Sequence, residues 1–188
     1  MDLAQYKIEN EQIVLNIVQE SDAEDIYIGI KESLSDLRKF PASLPWALEE
    51  PNLDASQAFC RSRLTALFNQ ENFVFIVRSK TSHVFLGILD IHCIRWDENQ
   101  ASIGFWGNAR YQGQGYMLQA LSIFIDALLH RWAFSKLHAY VDVENSAARK
   151  LCERVNFELK EIEFQSVQNP IDATWRDICH YMIENKDK

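Results

Sequence analysis

Between positions 110 and 116 the chain reads Arg-Tyr-Gln-Gly-Gln-Gly-Tyr, directly ahead of a long apolar run. Glycine at 113 and 115 lets a backbone turn tightly and come close to a ligand. A helix that starts there leaves several N–H groups without partners and carries partial positive charge. Together these features make an anion site suited to a pyrophosphate. Two phosphate loops are excluded by residue identity. A P-loop needs Lys and then Ser or Thr after its last glycine, where this chain has Tyr116 and Met117. A dinucleotide GxGxxG loop needs a third small residue where Leu118 stands. The pattern that fits is Q/R-x-x-G-x-G/A, with Arg110, Gly113 and Gly115 in the fixed positions.

Two further constellations could do chemistry. Asp90 and His92 lie two apart on one strand and share a face, where they interrupt the apolar run Val84, Leu86, Ile88 and Ile94. Such a pair either lines a cleft and takes a proton from an incoming group, or marks a solvated strand end. Asp177 and Glu163 on the last strands are the next carboxylates to consider. Residues 145–157 read Asn-Ser-Ala-Ala-Arg-Lys-Leu-Cys-Glu-Arg-Val-Asn-Phe. Asn145 stands where a helix N-cap belongs. Ala147, Ala148, Leu151, Cys152 and Val155 form one apolar face, which makes Cys152 a packed core thiol.

Periodicity supplies the elements that position these residues. Residues 12–19 read as a strand. Ser21 to Glu24 has capping-box spacing and opens a helix over about 22–37. Pro41, Pro45 and Pro51 around Trp46 make 40–52 a loop, and Asp54 caps a second helix to about 69. Strands follow at 73–78, 84–94 and 101–106. A helix over about 115–131 keeps Gln119, Ser122, Asp126 and His130 on one narrow polar stripe, as a helix packed deep against a sheet does. A strand at 136–143, a helix at 145–155 and strands at 157–167 and 174–184 complete the order β-α-α-β-β-β-α-β-α-β-β. That order predicts an α/β (α+β) fold with one mixed, largely antiparallel sheet flanked by about four helices. No repeat, low-complexity tract or linker divides it, so 1–188 reads as a single domain.

On these motifs the sequence resembles the GNAT superfamily of N-acetyltransferases. The loop carries the family's Q/R-x-x-G-x-G/A form, and Asn145, Ala148 and Phe157 match its N-x-x-A/S…G-F segment. More segments resemble the RimJ/RimL-like branch of protein N-terminal acetyltransferases. They are Ala101-Ser-Ile-Gly-Phe-Trp106, Tyr111-Gln-Gly-Gln-Gly-Tyr116, the loop from Leu37 to Trp46, and Trp175-Arg176-Asp177. The chain departs from the family where Cys152 replaces a Tyr acid, Ala148 replaces the branch's Ser, and Asn156 replaces Gly.

The resemblance implies acetyl-CoA as co-substrate and no metal. It implies CoA contacts from Arg110, Gln112, Gly113, Gln114, Gly115, Tyr116 and Met117. It also implies a β-bulge in which Ile103, Gly104, Phe105 and Trp106 turn backbone N–H groups to the thioester. Asn145, with Ala148, would meet the pantetheine arm, a role compatible with capping. Trp46 would wall an acceptor site entered between the proline-rich loop and the C-terminal strands; Asp90 and His92, from their shared strand face and not from the resemblance, are the candidates to take a proton there. The implied acceptor is a primary amine, foremost a protein N-terminus; a small-molecule amine and a non-catalytic acyl-CoA sensor are the alternatives. The branch also implies a homodimer.

The bulk numbers agree. Hydrophobic residues make up 47% of 188, enough for a sizeable core. The net charge of −8, without a Lys/Arg cluster, argues against nucleic acid and suits a cationic partner. No segment is long and apolar enough to span a membrane, and residues 1–10 lack a signal peptide's form. Cys60, Cys93, Cys152 and Cys179 make no CxxC pair and sit among apolar neighbours, which predicts reduced core thiols and a cytoplasmic protein.

Overall fold

The computed structural model describes residues 3–185, so Met1 and Asp2, the start of the segment tested for a signal peptide, lie outside the described residues. Eight strands form one sheet: β1 (Ile8–Glu9), β2 (Ile13–Ile17), β3 (Phe73–Ser79), β4 (Phe85–Arg95), β5 (Gln100–Gly107), β6 (Lys136–Asp142), β7 (Glu158–Gln168) and β8 (Trp175–Glu184). Among the described residues four α-helices accompany them: α1 (Ala23–Leu37), α2 (Leu53–Phe68), α3 (Tyr116–Asp126) and α4 (Ser146–Arg154). The strands lie in the order β1-β2-β3-β4-β5-β6-β8-β7. Every neighbouring pair is antiparallel except β5 and β6, the pair that α3 connects. This is the mixed, largely antiparallel α/β fold that the element order predicts.

Local differences have physical reasons. β1 is two residues long, too short to show a period. The first helix is led in by a 3₁₀ turn, Glu20–Asp22, because Asp22 is drawn outward: its Oδ1 accepts from Arg78 at 2.7 Å and its Oδ2 from the Gln19 amide at 2.8 Å. α2 is capped by Asn52, not Asp54; the Asn52 side chain accepts from the Ala55 amide at 2.7 Å. The proline-rich loop contains a 3₁₀ turn at Pro45–Leu48. After Asp126 the helix widens into a π turn, Ala127–Arg131. Cys60, Cys152 and Cys179 are buried as expected, but Cys93 is exposed. The β4–β5 register shifts between His92 and Arg95, and this bulge gives Cys93 a φ of 49° and turns it out of the alternation.

Two cores cover the sheet's two faces. Phe75, Leu89, Leu121, Phe124 and Tyr181 belong to the larger one, on the α3 and α4 side. Val18, Ile26, Cys60, Val74 and Ile88 form the smaller, under α1 and α2. β3 is therefore buried on both faces, which is why its run Phe-Val-Phe-Ile-Val does not alternate.

The β5–β6 pairing is short. It joins Gln100 to Lys136, Ala101 to Leu137 and Ser102 to His138, and then stops. β5 continues to Gly107 against β4 alone, while β6 continues to Asp142 against β8. The two strands part, and a gap opens between them. Met117, in the first turn of α3, lies over Gly107 and Gly87, where an added Cβ would meet it at 2.7 and 2.9 Å. The start of α3 is thereby pinned to the end of β5.

The far side of the gap is fixed by a buried ion pair. The Arg176 guanidinium donates to both Asp142 oxygens, at 2.9 and 2.8 Å, and to Glu144 at 2.7 Å. Asp142 is 2% exposed. Replacing Arg176 by Met leaves that carboxylate with the Glu144 amide, 2.9 Å away, as its hydrogen-bond donor and no counter-charge. Complete burial would cost about 3–5 kcal/mol; because Arg176 itself reaches solvent, Arg176→Met is expected to lower stability by about 2–4 kcal/mol. Urea unfolding midpoints of the variant against the wild type check this, with Arg176→Lys falling between.

Candidate active site

A cleft of about 780 Å³ lies in the gap, bounded by the end of β5, the loop into α3, the end of α1 and the start of α4. Phe105, Trp106, Gln112, Gly113, Gln114, Gly115, Tyr116 and Met117 line it on one side, Asn145 and Ala148 on the other. Gly113 and Gly115 have φ of +75° and +80°, and nothing lies within 4 Å of a Cβ built on either. Glycine is required here by backbone conformation, and the space beyond it is open. Gly115 is the N-cap of α3, so the free N–H groups of the first turn begin at this opening. Gln112 is held by Asp36 of α1, with Nε2 donating at 3.0 Å. The Lys39 ammonium beside Asp36 holds that carboxyl below the usual range. Asn145 caps α4, its Oδ1 accepting from the Ala148 amide at 3.1 Å. Capping uses only the oxygen of this cleft-lining side chain.

Three of the residues read as cofactor contacts stand elsewhere. Arg110 turns away to α1, where its guanidinium meets Glu32 at 3.2 Å and lies over the Tyr111 ring. The 3₁₀ turn Ala109–Tyr111 points position 110 outward, and Asn108 fixes that turn by accepting from the Arg110 amide at 3.0 Å. Ile103 is buried in the larger core, and Gly104 faces the second cleft. A bulge at Ile103–Trp106 is not found: the β4–β5 register runs unbroken from Gly87–Gly107 to His92–Ser102. The exposed backbone edge of residues 103–107 arises instead because β6 leaves β5 after Ser102.

A second cleft, of about 650 Å³, lies between the proline-rich loop, α2 and the outer face of β3, β4 and β5. Leu44, Phe105 and Trp106 line both clefts, so the two meet at the end of β5. Trp46 is 42% exposed and stands on the rim with its ring 6.1 Å from that of Trp106. The C-terminal strands do not line this cleft; they lie beyond the gap, and α2 supplies the opposite wall.

Asp90 and His92 are both in the second cleft and are bonded to one another, His92 Nδ1 to Asp90 Oδ1 at 2.6 Å. Asp90 packs on Gly104, where an added Cβ would come within 2.5 Å of Oδ2. Asn72, buried beneath, donates to the Ile91 carbonyl at 2.7 Å and to Asp90 Oδ1 at 3.4 Å. Asp177 and Glu163 are engaged elsewhere, accepting from the Gln165 amide and the Ser166 hydroxyl. Cys152 is 1% exposed, and burial pushes its thiol up to about 12, so it neither ionises nor reaches a ligand.

Sequence reasoning passed over Lys39, Lys150 and Arg154, cations that line the first cleft. The four-residue spacing of the last two on one helix was the available signal. It also passed over Asn72, which belongs to no recognisable pattern.

The comparisons bear on this geometry. No curated protein sequence matches the chain significantly. Solved structures do match in fold. RimL, a ribosomal L7/L12 α-N-protein acetyltransferase solved with coenzyme A, is 17% identical at a TM-score of 0.83, over 95% of this chain and 97% of that one. The microcin C7 self-immunity acetyltransferase MccE, solved with acetyl-CoA and AMP, is 19% identical at a TM-score of 0.83, over 93% of each. A ribosomal-protein-S5-alanine acetyltransferase from Vibrio fischeri is 19% identical at 0.78, over 96% and 97%. The family model of the acetyltransferase (GNAT) domain matches residues 12–158, and the chain belongs to that family.

Proposed function

We propose that this acetyltransferase moves the acetyl group of acetyl-CoA to a primary amine, the α-amino group of a polypeptide N-terminus. The observation that carries the reading is the meeting of two clefts at Phe105 and Trp106, beside a strand edge without a partner strand. One cleft suits a pyrophosphate; the other holds a carboxylate–imidazole pair. A pyrophosphate fits the loop because Gly113 and Gly115 already hold the left-handed conformation and leave open space above it.

When bound, acetyl-CoA supplies an acetyl group activated as a thioester. The chain's own groups do the rest. N–H groups on the free edge of β5 donate to the thioester oxygen, where negative charge gathers during attack. The clefts hold the two substrates in line. Asp90 Oδ1 accepts from His92 Nδ1–H, which fixes the tautomer and leaves the Nε2 lone pair to take the proton of the incoming ammonium. A CoA thiolate is a fair leaving group near neutrality, so the missing phenol at position 152 is not a barrier. Asp90 acts by positioning the ring, and Gly104 by making room for Asp90.

The polypeptide acceptor draws support from the acidic balance of the chain and from the likeness to RimL and to the S5-alanine enzyme. A small amine is the second reading, favoured by the equally good fit to the microcin immunity enzyme. An acceptor screen of short peptides against polyamines, amino acids and aminoglycosides decides between them. The first reading expects turnover with free peptide N-termini and none after N-terminal blocking. Turnover of small amines alone reverses the choice, and none with any amine defeats both.

Acetyl-CoA is expected to raise the melting temperature. At about 100 times its dissociation constant the gain is about 2.7 kcal/mol. Gly113→Val forces a β-branched residue into φ > 0 and is expected to abolish the gain. A melt that responds to NAD or ATP but not to acetyl-CoA sinks the reading.

His92→Gln is expected to lower kcat by about a hundredfold at neutral pH, within the 10²–10⁴ typical of a positioned base. The loss shrinks as pH rises, because free amine accumulates without help from the enzyme. Cys152→Ala keeps kcat within about tenfold, since losing an acid that is not used costs little. The check is kcat against pH for both variants; a dead Cys152→Ala enzyme beside a normal His92→Gln enzyme makes the thiol the acid.

Gly104→Ala drives a methyl into Asp90 Oδ2. It is expected to lower kcat by about tenfold or more while leaving acetyl-CoA affinity within about twofold, because it disturbs the base and not the phosphate loop. Steady-state kinetics and calorimetric titration read the two effects separately.

A further inference from the structure

The first cleft contains the only two basic side chains, among the described residues, that have no partner. Lys150 and Arg154 make no hydrogen bond, ion pair or ring contact. Every other described lysine and arginine meets a carboxylate, a carbonyl, an amide oxygen or an aromatic ring. In a chain with 27 acidic residues against 19 basic ones, counter-charges are not scarce. The acidic groups that line the same cleft are already engaged. Asp36 is paired with Lys39, and Glu144 with Arg176, which lies outside it. The cleft thus carries two uncompensated positive charges.

Their placement is not random. Positions 150 and 154 are one helical turn apart on α4 and present both cations on one face. Like charges at that spacing repel, so the pair is mildly unfavourable until an anion lies between them. Across the cleft the start of α3 offers partial charge only, about half a unit. That suffices to orient a pyrophosphate, not to balance a further phosphomonoester, which carries about −1.5 to −2 near neutrality.

We propose that Lys150 and Arg154 form a phosphomonoester subsite that reads the 3′-phosphate of the CoA ribose and so selects CoA over its dephosphorylated form. The proposal rests on the reading of the cleft as a CoA site. The guanidinium fork of Arg154 takes two phosphate oxygens and the Lys150 ammonium a third. With pyrophosphate at Gly113–Gly115 and monoester at α4, the ligand's anionic end is held from both walls, and its thioester arm is left toward Phe105.

The test compares dissociation constants of acetyl-CoA and acetyl-3′-dephospho-CoA by calorimetry with the full chain. The wild type is expected to prefer acetyl-CoA by about tenfold or more, and the preference narrows as salt screens it. In Lys150→Gln/Arg154→Gln the ratio falls to within about twofold, through weaker binding of acetyl-CoA alone. Arg154→Gln by itself, on an exposed and unpartnered side chain, reduces the ratio about threefold and covers the case in which the double variant misfolds. A wild-type ratio near one, or a ratio undiminished in the variants, overturns the phosphate subsite while the CoA reading stands. Failure of the wild type to bind either ligand overturns the CoA reading and the subsite with it.

Discussion

The rest of the structure depends on the parting of β5 from β6. A buried backbone amide or carbonyl must find a partner, and a central strand normally finds one on each side. Past Ser102, β5 has a strand partner on one side only. Such an edge is stable where the missing partner is water or a ligand, so the gap has to remain an open cleft. The parting also divides the sheet into β1–β5 and β6–β8–β7, joined by three residue pairs and by the core under α3.

Each wall of the cleft is anchored to its own half. Met117 lies over Gly87 and Gly107, which ties the start of α3 to β4 and β5. α4 is tied to β6 and β8. The fully buried Tyr181 accepts from Arg149 at 3.2 Å and donates to Glu153 at 2.9 Å, and Arg149 also donates to the Val143 carbonyl at 3.0 Å. Arg176 then clamps the turn before α4 through Asp142 and Glu144. The width of the cleft is therefore set by how the two halves of the sheet meet, and the chemistry of each wall by a different half. This accounts for the Trp-Arg-Asp segment of β8, whose arginine stands behind the wall and lines neither of the two clefts.

What the sequence made legible followed from local periodicity and from residue identity. Helices and strands with three or more turns of pattern were readable, as were the Gly113–Gly115 loop and the shared face of Asp90 and His92. The parting of β5 and β6 was not, because it is a pairing between residues over thirty apart that stops short, and a missing pair leaves no trace in either segment. Arg110 shows the same limit. Its spacing to the glycines was plain, but its direction was decided by Asn108 and by Glu32 of α1, far away in the chain. Cys93 looked like a core residue because it sits among apolar neighbours, but it falls at a bulge that only the register reveals.

Charge arranges the two clefts for opposite tasks. The protein as a whole is acidic, with a net charge of −8, which draws ammonium groups toward it and repels polyanions. On the proposed function it must nonetheless hold one of each. The second cleft keeps the sign of the whole surface on balance: Glu49, Glu50 and Asp90 line it against the single cation Arg63, which lies over the Phe59 ring, and the rings of Trp46 and Trp106 also line it. The first cleft reverses that sign locally, by pairing off its own carboxylates and leaving Lys150 and Arg154 unmatched. At about 0.15 M salt, charges are screened over about 8 Å. A local reversal of that size can therefore persist a few residues from an acidic surface. On the proposed function, His92 in the second cleft takes the proton of an ammonium before the amine attacks a thioester held in the first.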